Sequence, residues 1–243
     1  MNTFKHSGDL GDIIYSLPTI RALGGGILYL DPEGGRSEAI VSATTPNKKT
    51  KLTKHTIDFI SPLLKNQSYI KDVVYWNGER VNYNLDLFRE VFISPNRRNK
   101  YGNLTDCHLQ KFNLPWKESN KPWIDVKNKI TLDRKIVISR TPRYQNNHSW
   151  LEARRSVFSE SAVFVGLPKE HEYFEWTFDI KLPYYKTDSI IDLAEVINGC
   201  DTFIANQSFP LSLAIAMGHP KTIVELDQRV PSTFFDNKSI MYI

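Results

Sequence analysis

Two stretches of the chain place chemically capable side chains at turns next to apolar segments. The first is Gly8-Asp9-Leu10-Gly11-Asp12, between Phe4-Lys5-His6-Ser7 and the apolar-periodic run that starts at Ile13. Glycines let a backbone turn tightly and approach a ligand, and the helix that follows offers free N–H groups to an anion. Asp12 has two readings here. It is a helix cap, which Asp does well, or it is a carboxylate at the carboxyl end of a parallel strand, where open α/β sheets place their ligands. Asp9 would add like-charge repulsion if it faced the same site, and is otherwise a solvated turn residue. The turn lacks the GxGxxG spacing, which argues against a dinucleotide oxidoreductase. In the second stretch Arg140 and Arg143 follow the β-branched run Lys135-Ile-Val-Ile-Ser139. They are phosphate ligands or partners in a surface salt bridge.

The elements that must hold these residues alternate between strand and helix. Phe4–Ser7 reads as a strand and Asp12–Leu23 as a helix, with Ile13, Leu17, Ile20 and Leu23 on one face and a kink at Pro18. Ile27–Leu30 reads as a buried strand, 54–65 as a helix broken at Pro62, and 71–76 as a strand. The stretch 82–92 suits either type, and 94–122 reads as irregular chain with a short helix at 105–112. A second series starts near Lys127. It runs through strand 135–139, helix 151–158, a strand closed by Gly166, helix 189–197, strand 201–206, helix 210–217 and strand 222–226. Strands alternating with helices predict parallel sheets. The two series predict an α/β chain of two Rossmann-like domains, 1–125 and 126–243.

The 243 residues carry a net charge of +4, and hydrophobic residues make up 41%, an ordinary soluble composition. No apolar run reaches the roughly 18 residues of a membrane span, and the N-terminus has no signal-peptide pattern. A cytoplasmic location is the expectation. Cys107 and Cys200 read as free thiols, and the six histidines form no metal-binding pattern. Residues 1–125 hold 17 Lys or Arg against 13 Asp or Glu, whereas 126–243 hold 14 of each. The basic clusters Lys48, Lys49, Lys51, Lys54 and Arg97, Arg98, Lys100 are solvated loops or a patch for a polyanion. Trp116, Trp123 and Trp150 could stack on a base, although packing is the more frequent use of such rings.

The segment GDLGDIIYSLPTIRALG closely resembles the opening of the ADP-heptose:lipopolysaccharide heptosyltransferases, which are GT-B enzymes. It has their Gly-Asp pair (Gly11-Asp12), internal proline (Pro18) and closing small-Leu (Ala22-Leu23). Thr141-Pro142-Arg143 followed by His148-Ser149-Trp150-Leu151-Glu152 resembles the family's Thr-x-Arg…Lys-x-Trp-x-Glu. Gly166-Leu-Pro-Lys-Glu170-His-Glu172 is similar to its Gly-x-x-x-Glu-x-Glu loop. Asn206-Gln207-Ser208-Phe209-Pro210, running to Gly218-His219-Pro220, is similar to its last motif. Gln207-Ser208-Phe209 stand where the family has Asp-Thr-Gly, Ser212 where it has His, and His148 where it has Lys.

The resemblance implies a GT-B fold of two Rossmann-like domains facing a cleft, and an inverting, metal-independent transfer from a nucleotide-sugar donor to an acceptor hydroxyl. Asp12 would be the base. Gly11, Arg140, Thr141, Arg143, His148, Gly166, Glu170, Glu172, Gln207 and Ser208 would lie toward the donor, with a glutamate of the 166–172 loop on its ribose. Gln207 and Ser208 can hydrogen-bond phosphates or sugar hydroxyls, at a helix N-terminus that favours an anion. No cofactor beyond the donor substrate is implied. The acceptor is a surface glycan, or DNA carrying a hydroxymethyl pyrimidine. The alternative to an enzyme is a non-catalytic nucleotide-sugar-binding protein.

Overall fold

The structure is a computed structural model that describes residues 1–32, 52–94, 102–146, 148–227 and 232–243. The chain divides into two compact units. One is made of Met1–Arg98 and Leu104–Ser119, the other of Asn99–Asn103 and Asn120–Ile243. Each is an α/β layer built on its own parallel sheet. The basic clusters at 48–51 and 97–100 lie outside the described residues. Lys54 is exposed, and its ammonium stands over the Tyr75 ring at 5.6 Å.

In the first unit β1 (Asn2–His6), β2 (Gly26–Leu30), β3 (Ile70–Tyr75) and β4 (Tyr83–Asn84) assemble in the order β3-β2-β1-β4. From β1 the sheet grows one way through β2 and β3 and the other way to β4, so the gap between β1 and β4 is its switch point. Helix α1 spans Leu10–Ala22, two residues earlier than the apolar periodicity predicts. The reason is electrostatic. Asp9 takes the extended N-cap conformation, and the Asp12 side chain reaches back to the Asp9 N–H. The helix runs through Pro18, and Ile13, Ile14, Leu17 and Ile20 are fully buried.

Helix α2 (Lys54–Lys65) also continues through Pro62 where a break was expected. Proline removes one hydrogen bond, and burial of Ile57, Ile60, Leu63 and Leu64 against the rest of the unit holds the helix together. The ambiguous stretch after β3 resolves into β4, a 3₁₀ turn at Leu85–Leu87 and the short helix α3 (Phe88–Phe92). Helix α4 (Leu104–Lys111) packs against α1 and α3.

In the second unit β5 (Ile136–Ser139), β6 (Ala162–Phe164), β7 (Thr202–Asn206), β8 (Thr222–Glu225) and β9 (Ile240–Tyr242) take the order β6-β5-β7-β8-β9, all parallel. Its switch point lies between β5 and β7. The single helix expected at 151–158 is two short ones, α5 (His148–Glu152) and α6 (Arg155–Ser161). They part at Arg154, whose guanidinium folds back over the Trp150 ring at 4.0 Å. The sheet's other helices are α7 (Pro168–Phe178), α8 (Ile190–Gly199, capped by the Ser189 hydroxyl) and α9 (Phe209–Met217). Phe164, Phe174, Phe178 and Ile204 lie in its apolar core. No helix among the described residues is long and apolar enough to cross a membrane.

The start of β2 is the tightest point of the first sheet. Gly26 has φ +154°, and a Cβ built on it would stand 2.0 Å from the Asn2 carbonyl oxygen on β1. Gly26→Ala is therefore expected to lower the unfolding free energy by about 2 kcal/mol or more. A denaturant midpoint equal to that of the parent chain would contradict this packing.

Candidate active site

The turn after β1 places Asp12 at the third position of α1, beside the switch point of the first sheet. Its Oδ2 accepts the Asp9 N–H at 3.3 Å and lies 3.8 Å from Nη2 of Arg89. The carboxylate is therefore both the helix cap and one pole of an ion pair, and it keeps partial contact with solvent. Gly11 sits in the first turn of α1, next to it. Gly8 makes the arrangement possible. A Cβ there would lie 2.7 Å from Asp12 Oδ2 and 2.6 Å from Cε1 of His6, so a side chain would push the carboxylate out of the turn.

Around this turn stands a cluster that the sequence did not single out. Asp86, just after β4, accepts the Ser7 N–H at 2.9 Å, the Ser7 hydroxyl at 2.8 Å and Nη1 of Arg89 at 3.0 Å. Lys5 lies 3.4 Å away and also pairs with Asp31 at 2.9 Å. Burial works to raise the Asp86 carboxyl, but the neighbouring cations and the Ser7 hydrogen bonds prevail and hold it well below the usual carboxylate range. His6 is fully buried, and burial lowers its pKa to about 4 against the pull of Asp86. Its Nδ1 accepts the Gly8 N–H at 2.8 Å, which puts the proton of the neutral ring on Nε2. His108 stacks on Phe88 at 4.1 Å, and burial lowers its pKa as well. The one sequence signal for this cluster was the three-residue spacing of Asp86 and Arg89, which suits an ion pair along one helical turn.

In the second unit the expected donor residues gather around the carboxyl ends of β5, β6 and β7. Asn206 is the buried tie among them. Its Oδ1 accepts the Thr141 N–H at 3.1 Å, and its Nδ2 donates to the carbonyls of Thr141 and Arg143. Thr141 is thus fixed by the end of β7. Arg143 is exposed, with its guanidinium over the Tyr144 ring at 5.2 Å. Gly166 follows β6 with φ +138°, and a Cβ on it would stand 2.9 Å from Glu170 Oε2. That oxygen accepts the Leu167 N–H at 3.0 Å. Burial raises the Glu170 carboxyl, with the Leu167 N–H and Arg143 pulling the other way. Glu172 is exposed on α7. His148 opens α5, and its side chain lies outside the described residues.

Ser208 is the N-cap residue of α9, but its hydroxyl turns back to the Asn206 carbonyl at 3.1 Å and does not cap the helix amides. Pro210 in the first turn carries no N–H. Gln207 is buried and serves its own unit, accepting the Asp227 N–H at 2.6 Å and donating to Ser232 at 2.9 Å.

Arg140 forms an ion pair, one of its two expected readings, but a buried one and not on the surface. Only 3% exposed, it grips Glu225 at the end of β8 through Nε (2.6 Å) and Nη2 (2.9 Å). Glu225 also accepts the Asn146 N–H at 2.6 Å. Trp123 is buried too, with its ring 6.1 Å from Phe235, whereas Trp116 is exposed. Neither Cys107 nor Cys200 is in a disulfide. Among the described residues no group of three His, Cys, Asp or Glu is set to hold a metal ion.

Two outcomes follow from these buried charges. Glu225→Gln leaves the Arg140 guanidinium buried without its counter-ion, and should cost about 3–5 kcal/mol of stability in a denaturation experiment. A loss under about 1 kcal/mol would show that the pair is wet. His6 gives the second. The unfolded chain binds its proton below the ordinary 6.5 and the folded chain only below about 4. Stability should therefore fall as pH drops through that window, by about 1.4 kcal/mol per pH unit at most for this group. His6→Gln should flatten that slope, and an unchanged slope would contradict a neutral His6.

No protein-family model and no curated protein matches the chain. Solved structures do. A family 9 glycosyl transferase from Veillonella parvula is similar at a TM-score of 0.61 and 12% identity, over 99% of this chain and 84% of that one. The E. coli heptosyltransferase WaaC solved with ADP is similar at 0.58 and 10% identity, over 99% and 92%. E. coli ADP-heptose lps heptosyltransferase II is similar at 0.53 and 12% identity, over 100% and 90%. The chain thus shares a GT-B-like α/β fold, carried on two parallel sheets, with these glycosyltransferases.

Proposed function

We propose that the chain is an inverting glycosyltransferase that moves a sugar from a nucleotide-sugar donor to an acceptor hydroxyl, with Asp12 as the general base. The observation that carries this reading is the placement of Asp12. It is a partly solvated carboxylate, paired with a cation, at the switch point of the first sheet, which is where ligands of open α/β sheets bind. The fold shared with glycosyltransferases supports it. One of those neighbours was solved with ADP-2-deoxy-2-fluoro heptose.

In this reading the second unit holds the donor. The amides at the start of α9, left uncapped by Ser208, receive the pyrophosphate, and the exposed Arg143 supplies a cation. Glu170 and Glu172 lie nearest the donor ribose. Arg140 shapes this site from beneath, through Glu225. The acceptor oxygen gives its proton to the Asp12 carboxylate and attacks the anomeric carbon, while the bond to the donor phosphate breaks. One in-line displacement inverts that carbon. The leaving nucleoside diphosphate carries away the electron pair, and its charge is met by the α9 amides. The excess of basic residues in the first half favours an acceptor that bears phosphates, whether DNA or a phosphorylated glycan.

Asp12→Asn should keep the fold and reduce transfer by about 10²–10⁴-fold, as read by release of nucleoside diphosphate across a panel of nucleotide sugars. Turnover at the parental rate would remove Asp12 as the base. If the parent binds a nucleotide sugar and never transfers the sugar to any acceptor, the chain is a binding protein.

A further inference from the structure

Gly8 touches the His6 ring and the Asp12 side chain together. A Cβ built on it would stand 2.6 Å from His6 Cε1, 2.7 Å from Asp12 Oδ2 and 2.9 Å from Asp12 Cβ. The same imidazole holds the Gly8 backbone, because the Gly8 N–H donates to His6 Nδ1 at 2.8 Å. The ring is fixed in turn. It is fully buried, with Phe88 at 5.8 Å and His108 at 5.4 Å between ring centres. Asp86 Oδ1 is the other polar atom near Nδ1. It stands 3.5 Å away, beyond a good hydrogen bond, and already accepts from the Ser7 amide and from Arg89 Nη1.

We propose that His6 is a positioning residue for Asp12, acting through the Gly8 amide: an unprotonated Nδ1 anchors the turn against which the carboxylate rests. This rests on the reading of Asp12 as the base. Protonation would put a hydrogen on Nδ1. The ring would then oppose the Gly8 N–H and be drawn to Asp86, and the turn would lose its anchor. Charged and titratable groups stand near His6 on each neighbouring element. Lys5 precedes it on β1, Asp31 follows β2, Asp9 and Asp12 start α1, Asp86 follows β4, Arg89 lies on α3 and His108 on α4. Burial, helped by Arg89 and Lys5, outweighs Asp86 and keeps the ring neutral above about pH 4. The anchor is therefore present at neutral pH and lost as pH falls through about 4.

The shapes of two amides separate this role from simple packing. The Asn side chain sets its oxygen about where Nδ1 lies, and the Gln side chain reaches toward the place of Nε2. Release of nucleoside diphosphate from ADP-, UDP- and GDP-sugars is measured for each variant. His6→Leu and His6→Gln should lower kcat by about 10–10²-fold with donor KM within about twofold of the parent. His6→Asn should recover most of that loss. A second measurement needs no variant. Imidazole ¹⁵N shifts of the full chain at neutral pH should show the proton on Nε2, and the Gly8 amide proton should shift as His6 titrates. A proton on Nδ1, a Gly8 amide blind to that titration, or His6→Asn as impaired as His6→Leu overturns the proposal. The base assignment is judged separately. If Asp12→Asn is inactive while His6→Asn recovers nothing, Asp12 remains the base and the role of His6 fails. If Asp12→Asn is fully active, the base assignment fails, and the Gly8 amide still decides whether His6 anchors the turn.

Discussion

Parallel strands that part at a switch point leave backbone N–H groups and loop ends without sheet partners, and something must satisfy them. In the first unit the Asp86 carboxylate does this. It takes the Ser7 amide and hydroxyl at the end of β1 and the Arg89 guanidinium from α3, with Lys5 close by. One half-buried anion thereby ties the first strand, the chain after the fourth and the helix that follows. The tie depends on the anion staying charged, which the surrounding donors ensure. Asp12 inherits its position from this arrangement. The turn at Gly8 packs on His6, and Arg89, held by Asp86 through Nη1, places Nη2 3.8 Å from Asp12 Oδ2.

The second unit solves the same problem with a neutral group. Asn206, fully buried at the end of β7, offers both an acceptor and a donor to the loop that leaves β5. An amide suits this place, because a loop end presents N–H and C=O groups together and a carboxylate could satisfy only one kind. The charged tie lies one strand further on, where Arg140 and Glu225 join the ends of β5 and β8. The amides at the start of α9 are not used in either tie, and it is to this positive helix end that the proposed function assigns the donor pyrophosphate. Under the proposed function, the ties below would hold that helix end in place to receive the donor phosphates with little reorganisation.

The sequence made the alternation of strands and helices legible because each element carries its own apolar period. It also made the Gly8–Asp12 turn legible, since glycine and aspartate between a strand and a helix have few other uses. What it hid were the partners across the sheet. Ser7 and Asp86 are 79 positions apart, and Arg140 and Glu225 are 85 apart. Nothing local to Arg140 distinguishes a buried arginine from an exposed phosphate ligand. The deciding fact is that β8 lies next to β7 with a glutamate at its end. The start of α1 was misplaced for a related reason. Gly11 in the first turn looks like a loop residue, and only the contact from Asp12 back to Asp9 shows the helix already under way. Strand β9, three residues long, is held by pairing with β8 and by no pattern of its own.

The account turns on where the donor sits. A crystal structure of the chain with a nucleoside diphosphate sugar that it binds tests this most directly. The account predicts the pyrophosphate within hydrogen-bond distance of the first amides of α9, Phe209 or Leu211, with Arg143 turned toward it and Arg140 still paired with Glu225. A pyrophosphate bound at the Asp12 turn of the first unit, or away from the carboxyl ends of β5 and β7, would contradict it.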